Sequence, residues 1–259
     1  MSSPAFLSPG PGAIAKSPME PGAVAAGATF EERDGWKVAT AFADSDTERA
    51  LCASSVGFAD VSHIGKIEIQ AKADDLAWIV SRAVREQLEL GHATRAERAW
   101  WCPYSPKRAV VLCSPAETVA LRDHLTALAA DANGLSSVID ITASQGAMTV
   151  LGPLAREVFA RFTAIDLRPQ ITPVHAFRPG SVARAGGAIL CEATDRYLML
   201  FGAALGQYVW TVVRDAAEHL GGGPVGVDAL PPLDAPAVSS DGAGPEEASV
   251  DLPGSAPDA

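Results

Sequence analysis

The stretch that decides the fold runs from Ser137 to Pro169 and reads SVIDITASQGAMTVLGPLAREVFARFTAIDLRP. Its first half predicts a strand over 137–142, a turn over 143–146 and a second strand over 147–151. Both strands are short apolar runs bounded by turn residues, which is typical of strands that are at least partly buried.

The second half of the stretch predicts a helix. Gly152-Pro153 opens it, since proline suits a first helical position, where its missing N–H has no partner. One face of the helix is apolar and carries Leu154, Val158, Phe159 and Phe162. The segment Asp166-Leu167-Arg168-Pro169 is expected to end the helix because proline cannot continue one. The whole stretch is a strand-turn-strand-helix unit.

The same pattern occurs about eighty residues earlier, in VGFADVSHIGKIEIQ over Val56–Gln70. An apolar run ends at Asp60, a turn contains Gly65, and strict alternation over 66–70 indicates a half-buried strand. A helix follows, with apolar residues at helical spacing: Leu76, Ile79, Val80, Ala83, Val84 and Leu88. Asp60-Val61-Ser62 then corresponds to Asp140-Ile141-Thr142, and Gly65 to Gly146 with one extra residue in the later turn.

Two matching units predict a duplicated α+β fold. The alternative is that any two strand-turn-strand-helix units look alike at this level, and the pattern alone leaves both interpretations open.

The composition places the chain in the ordinary globular class, with 48% hydrophobic and 20% charged residues. Six of its 31 acidic residues and none of its 20 basic residues lie in 231–259, so the rest is only mildly acidic. Such a surface is unsuited to an extended phosphate backbone, and a nucleic-acid partner is not expected.

The four cysteines, at 52, 102, 113 and 191, include no C-x-x-C pair and accompany no histidine cluster, so neither a metal site nor a disulfide framework is expected. Since no apolar stretch is long enough to span a bilayer and no signal sequence is evident, we expect a cytoplasmic protein without membrane contact.

Composition also divides the chain into three parts. Residues 1–27 are rich in Pro, Gly, Ala and Ser and predict a flexible or loosely docked N-terminal arm. Residues 28–230 are expected to form one domain. Residues 231–259 lack aromatic residues and predict a disordered acidic Pro/Ala/Gly tail.

Four motifs resemble, in order and spacing, the folate-binding domain of the glycine-cleavage T-protein (aminomethyltransferase) superfamily. They are Gly35-Trp36, the segment 56–66, the segment 151–158 and Pro224-Val225-Gly226. Residues 140–169 are particularly similar to the gamma subunit of heterotetrameric sarcosine oxidase, a member of that superfamily. The resemblance implies duplicated units around a central cavity that takes tetrahydrofolate, without the C-terminal β-barrel domain of full T-proteins.

The chain departs from the family at the positions that carry its chemistry. Where the resemblance implies a catalytic Asp, residues 97–104 contain Trp100, Trp101 and Cys102, and an implied Asn is Cys113. The pterin-contacting Glu of the family falls near Thr194, two places from Glu192. No catalytic residue is therefore assigned.

The candidate residues of a folate cavity are Trp100, Trp101, Cys113, Glu192 and Tyr197. Four of them have a structural alternative: the tryptophans and Cys113 also suit a packed core, and a Glu often lies at an exposed strand end. His63, in the turn of the first unit, suits a turn or surface position as well as a ligand contact.

Two functions remain open. One is an accessory subunit, similar to sarcosine oxidase gamma, that assembles with flavin-dependent amine oxidase subunits. The other is a separate tetrahydrofolate-dependent aminomethyl or methyl transferase acting on a small amine, which an acidic side chain in the central cavity would favour.

Overall fold

The computed structural model describes residue 10 and residues 12–232, which form three sheets and six α-helices. The strands are β1 (Ala15–Lys16), β2 (Thr29–Arg33), β3 (Trp36–Ala41), β4 (Gly57–Asp60), β5 (Gly65–Gln70), β6 (Thr94–Ala96), β7 (Ala99–Ser105), β8 (Arg108–Cys113), β9 (Ser137–Asp140), β10 (Gln145–Leu151), β11 (Phe177–Val182), β12 (Ala185–Ala193), β13 (Arg196–Gly202) and β14 (Gly223–Pro224). The α-helices are α1 (Glu20–Ala25), α2 (Ser45–Ser54), α3 (Ala73–Val84), α4 (Thr118–Asp131), α5 (Ala155–Ala160) and α6 (Gly206–Glu218).

Each of the two larger sheets contains strands from both predicted units. The six-stranded sheet has the order β11-β12-β13-β10-β4-β14, and the five-stranded sheet has the order β6-β7-β8-β5-β9. The small third sheet has the order β1-β3-β2. Strand β4 pairs antiparallel with β10, whereas β5 pairs antiparallel with β9. Each unit therefore contributes one strand to each large sheet, and its chain crosses between them.

The two crossings have the same hydrogen bonds. The Ser62 amide donates to the Asp60 side chain at 2.9 Å, and the Thr142 amide donates to the Asp140 side chain at 2.9 Å. Each hydroxyl then accepts from an amide near the start of the other unit's second strand, Ser62 from Ala147 at 3.1 Å and Thr142 from Lys66 at 3.0 Å.

This reciprocity confirms the predicted pairing of 60–62 with 140–142. Because Lys66 matches Ala147, the preceding residues Gly65 and Gly146 correspond, and the second turn is one residue longer. The duplicated α+β architecture is confirmed.

Lys66 is fully buried between the crossings. Its Nζ donates to the Ser62 carbonyl at 2.8 Å and the Ile64 carbonyl at 3.0 Å, and lies 3.4 Å from the Thr142 carbonyl. Burial lowers the pKa of this amine to about 8, against the opposing effect of the Asp60 and Asp140 carboxylates. The side chain links both crossings through their backbones.

Helix α5 is shorter than the sequence predicts. It begins at Ala155 and ends at Ala160, whereas the apolar spacing and Pro169 predict a helix that continues to about residue 166. The chain leaves the helix because the Thr163 hydroxyl accepts from the Ile165 amide and donates to the Ser181 carbonyl, in competition with the helical bonds. Val158 and Phe159 are buried as predicted.

Part of the segment expected to be a flexible or loosely docked arm belongs to the fold, which corrects that expectation for residues 15–25. Strand β1 pairs parallel with β3, and Met19 is fully buried in the core. Gly22 on α1 meets the Trp210 ring of α6 so closely that a Cβ there would lie 2.4 Å from it. Residues 1–9 and the tail beyond residue 232 lie outside the described residues.

Candidate functional site

A cavity of about 190 Å³ lies between the two large sheets. The five-stranded sheet contributes Trp100 from β7 and Cys113 from β8, and the six-stranded sheet contributes Thr149 from β10 and Glu192 from β12. Val61 and Ile64, in the crossing between β4 and β5, also line it. The duplicated units thus create the space between the sheets, and the crossing forms part of its wall.

Among residues 12–232, three arginines and one carboxylate line this cavity: Arg95, Arg98, Arg196 and Glu192. The Glu192 carboxylate accepts from Arg196 Nε at 2.9 Å, and both side chains are largely buried, with 5% and 13% exposed. Arg196 also donates through Nη1 to the Pro231 carbonyl at 2.5 Å. The Arg95 guanidinium lies 5.2 Å from the Trp100 ring centre, in cation–π contact.

Burial raises the pKa of the Glu192 carboxyl, and the neighbouring Arg196 and Arg95 guanidinium groups oppose the rise. Burial also raises the pKa of the Cys113 thiol, which approaches the Thr118 hydroxyl at 3.7 Å. The thiol is therefore neutral near pH 7.

Arg98 reaches the cavity from an unusual turn. Glu97 and Arg98 connect β6 to β7 with φ angles of 48° and 61°, the left-handed conformation that both central residues of a two-residue type I′ hairpin turn require. Residues with a side chain pay about 1–2 kcal/mol each for this conformation, and Asn-Gly is the preferred pair. The chain has neither Asn nor Gly at these two positions. It has Glu97 and Arg98 instead, and the Arg98 guanidinium lines the cavity.

The five candidate residues divide between two environments. Trp100, Cys113 and Glu192 line the cavity. Trp101 instead packs in the hydrophobic cluster beneath α3 and α4, and Tyr197 packs against Phe159 of α5, with ring centres 5.7 Å apart. Successive strand residues point to opposite faces of a sheet. Trp100 and Arg196 face the cavity, so their neighbours Trp101 and Tyr197 face away from it.

Sequence reasoning missed the three arginines of the cavity. A usable signal exists for Arg196, because it alternates with Leu198 along β13, and both line the cavity. Arg95 and Arg98 lie in and beside a three-residue strand, whose pattern is too short to indicate a face.

His63 lies outside this cavity, in the crossing between β4 and β5. It is partly buried, and burial lowers its pKa to about 4, helped by the nearby positive charges of Lys66 and Arg33. A neutral imidazole is therefore part of the folded structure at pH 7.

Comparison with known proteins gives two informative structural matches. A chain of heterotetrameric sarcosine oxidase from Corynebacterium sp. U-96 matches with a TM-score of 0.59 and 17% identity, over 70% of this chain and 94% of that one. Glycine cleavage system aminomethyltransferase T from Bartonella henselae matches with a TM-score of 0.67 and 16% identity, over 83% of this chain and 60% of that one. The chain has the aminomethyltransferase fold. No protein-family model and no curated protein sequence matches it.

Two further findings bear on what the aminomethyltransferase fold holds here. Among the described residues, no three His, Cys, Asp or Glu side chains are grouped so as to hold a metal ion. Nor does the described part of the chain contain a helix with the length and apolar character needed to cross a membrane.

Tetrahydrofolate, the cofactor implied by the resemblance, fits this cavity poorly. Pockets that enclose ligands of drug size occupy about 300–1,000 Å³, and this cavity has about 190 Å³. Glu192 is a suitable partner for a pterin in chemical type, but Arg196 already engages its carboxylate. A whole folate, with its pterin, benzoyl and glutamate parts, would extend beyond this cavity, which is partly open to solvent.

Proposed function

We propose that this chain is an accessory subunit of a cytoplasmic, flavin-dependent amine oxidase, with a role like that of the sarcosine oxidase gamma subunit. The observation that carries the proposal is the extent of the structural match. The aligned region covers 94% of a chain that belongs to a heterotetrameric sarcosine oxidase, but only 60% of aminomethyltransferase T. Nearly the whole of that sarcosine oxidase chain is thus matched by this fold, which supports it as the model for the described residues.

The chemistry of the cavity supports a non-catalytic role. Transfer of a one-carbon unit from a folate nitrogen needs an anionic group beside that nitrogen. The residues of this chain at the positions where the resemblance implies such groups are Cys113 and Trp100. The Cys113 thiol has a raised pKa and stays neutral. An indole carries no charge. Glu192, the one carboxylate that the described residues contribute to the lining, is paired with Arg196.

Purification of the full chain from its native host, through a C-terminal affinity tag, tests the proposal. The expected product is a complex of fixed stoichiometry by native mass spectrometry, with a flavin absorbance spectrum and amine-dependent reduction of that flavin. A chain that elutes alone and without flavin from cells grown on N-methyl amines contradicts the proposal.

A second candidate function is a tetrahydrofolate-dependent aminomethyl or methyl transferase. The observation in its favour is that a carboxylate, Glu192, does line the central cavity. Isothermal titration with 5-formyltetrahydrofolate decides between the two. A micromolar Kd, equivalent to about −8 kcal/mol, that is lost in Glu192→Ala would favour the transferase. Absence of binding would leave the accessory subunit.

A further inference from the structure

We propose that strand β9 is an association surface, and that it pairs antiparallel with β9 of a second copy of this chain. Strand β9 is the last strand of the five-stranded sheet, and its neighbour among the described strands is β5. In the described part of the chain, no strand lies along its other side. The backbone groups of such an edge form a template on which a further strand can pair.

The hydrogen bonds to β5 show which backbone groups of β9 face outward. The Ile141 amide, directly after β9, donates to the Lys66 carbonyl at 2.8 Å. Because backbone groups alternate in direction along a strand, the N–H and C=O of Ile139 also point toward β5. The N–H and C=O groups of Val138 and Asp140 consequently point to the open side. Each of these two residues offers one donor and one acceptor there.

The other edges of the described sheets have features that block such pairing, namely charge, proline or a very short strand. Strand β6, at the opposite edge of the same sheet, has three residues and includes Arg95. In the six-stranded sheet, β11 contains Pro179, and β14 has two residues, one of them Pro224. In the small sheet, β1 has two residues and includes Lys16, and three of the five residues of β2 are charged. Strand β9 contains no proline, lysine or arginine, and its pairing with β5 has no bulge.

Large apolar side chains are exposed at this edge. Ile139 is 50% exposed, and Leu135, two residues before the strand, is 91% exposed. Leu135 is the most exposed large hydrophobic residue in the described part of the chain. A single exposed leucine is ordinary, but an apolar strand edge with open backbone groups is a site at which chains associate.

The sequence of β9 is suited to pairing with its own copy. With the two-fold axis at Ile139, this side chain lies opposite Ile139 of the second copy in a non-hydrogen-bonded pair, where opposing side chains approach most closely. Val138 of each chain then lies opposite Asp140 of the other, and each such pair exchanges two hydrogen bonds through the outward backbone groups. No carboxylate lies opposite a carboxylate in this register, and the Asp140 side chain already accepts from the Thr142 amide.

Pairing of one surface with its own copy about a two-fold axis is the commonest way in which soluble proteins form oligomers. The strand contact is small, because β9 has four residues, so the dimer is expected to be reversible and to depend on protein concentration. The inference does not rest on the proposed oxidase partner. It is tested on the full chain alone, so the two proposals fail separately.

Sedimentation velocity of the purified full chain over a series of concentrations tests the proposal, and a monomer–dimer equilibrium is expected. Ile139→Lys should raise the dissociation constant of the dimer at least about tenfold, since it places two positive charges opposite each other. Ile139→Val, which keeps a β-branched apolar side chain, should raise it less than about threefold. Leu90→Lys is the control: Leu90 is 55% exposed, in the loop between α3 and β6, and the dissociation constant should change less than about twofold. Circular dichroism verifies the fold of each variant.

Hydrogen exchange of single amides gives a second readout. The amides of Val138 and Asp140 should be protected at high protein concentration and should exchange faster after dilution. The Ile139 amide, which is bonded to β5, should stay protected at both concentrations.

Three results would overturn the proposal. They are a chain that sediments as a monomer at every concentration, a dimer weakened equally by Ile139→Lys and Leu90→Lys, and exchange of the Val138 and Asp140 amides that does not depend on concentration. Protection of these amides only after addition of an oxidase subunit would also overturn it, because the edge would then belong to that partner.

Discussion

His63 shows how burial of one titratable side chain makes stability depend on pH. Its folded-state pKa of about 4 lies below the ordinary value of 6.5, so the unfolded chain binds more protons between these values. The stabilisation from a neutral His63 is therefore fully present above pH 6.5 and is lost as pH falls toward 4.

We predict that the wild type loses about 2 kcal/mol more stability than His63→Asn when pH falls from 7 to 5. Urea unfolding at the two pH values measures this difference. Identical pH dependence in wild type and His63→Asn would show that the imidazole titrates normally in the folded state.

Glu48 is a buried carboxylate with a structural role that the sequence did not reveal. It lies on α2 and accepts hydrogen bonds from the amides of Phe42 at 2.5 Å, Ala43 at 2.9 Å and Gly226 at 2.9 Å. One side chain thus connects the end of β3 to the segment after β14. The apolar spacing of α2 indicates a helix but gives no reason to bury an acid.

Removal of this carboxylate should be costly, because an unpaired buried amide costs about 1–3 kcal/mol. Glu48→Ala is expected to lower the free energy of unfolding by about 3 kcal/mol or more, and Glu48→Gln by less, since its amide oxygen still accepts. Asp46→Ala, at an exposed position on the same helix, should change it by less than about 0.5 kcal/mol. Chemical denaturation compares the three. Equal effects of Glu48→Ala and Asp46→Ala would contradict the role assigned to Glu48.

Among the elements, the link between β10 and α5 depends on Gly152. Its φ of 123° is a conformation that side chains disfavour, and a Cβ there would lie 2.4 Å from the Ser55 carbonyl oxygen. The prediction that Gly152-Pro153 opens the helix is wrong, since α5 begins at Ala155; Gly152 is required instead by this contact with the end of α2.

Gly152→Ala is expected to lower the free energy of unfolding by about 2–4 kcal/mol through backbone strain and overpacking. Gly186→Ala, at a position with no atom within 4 Å of an added Cβ, should change it by less than about 1 kcal/mol. Thermal unfolding of the two variants measures the contrast. If Gly152→Ala proved as stable as Gly186→Ala, the close approach of the backbone to Ser55 would not hold in solution.

At the level of elements, sequence periodicity predicted what local spacing determines. The alternation of 66–70 gave β5, although Lys66 and Glu68 are buried and the strand is not half-exposed as predicted; the apolar spacing gave α3, which ends at Val84, before the predicted Leu88. The early end of α5 was missed because it depends on the hydroxyl of Thr163, whose partner Ser181 lies on a distant strand. The docking of residues 15–25 was missed because β1 is only two residues long and Met19 is anchored by contacts that no local pattern encodes.

The same division applies to the whole molecule. The correspondence of the two units was visible in the sequence. The exchange of strands between them was not, because the pairing of β4 with β10 is a contact between distant segments. The cavity follows from that exchange. For this reason Trp100, Cys113 and Glu192 were found from a resemblance, while the arginines that dominate the charge of the cavity were not.

Because the two units contribute strands to the same sheets, we predict that neither half of the chain folds alone. A cut between Gly134 and Leu135 separates β4 from β10 and β14, and β5 from β9. Residues 1–134 and 135–259, expressed separately, should lack a cooperative thermal transition by circular dichroism, and mixing them should restore one. A cooperative transition of residues 1–134 alone would mean that the first unit is an independent folding unit.

The crossings also constrain how the chain is made. Ser62 and Ala147 form hydrogen bonds with each other although they lie 85 positions apart. The ribosome must therefore add 85 residues after Ser62 before these hydrogen bonds can form. At a synthesis rate of about 5–20 residues per second, β4 and β5 remain without their later partners β10 and β9 for roughly 4–17 s. During that interval the nascent first unit exposes the edges of β4 and β5 that later pair with β10 and β9, and these edges are covered only after the second unit has been synthesised.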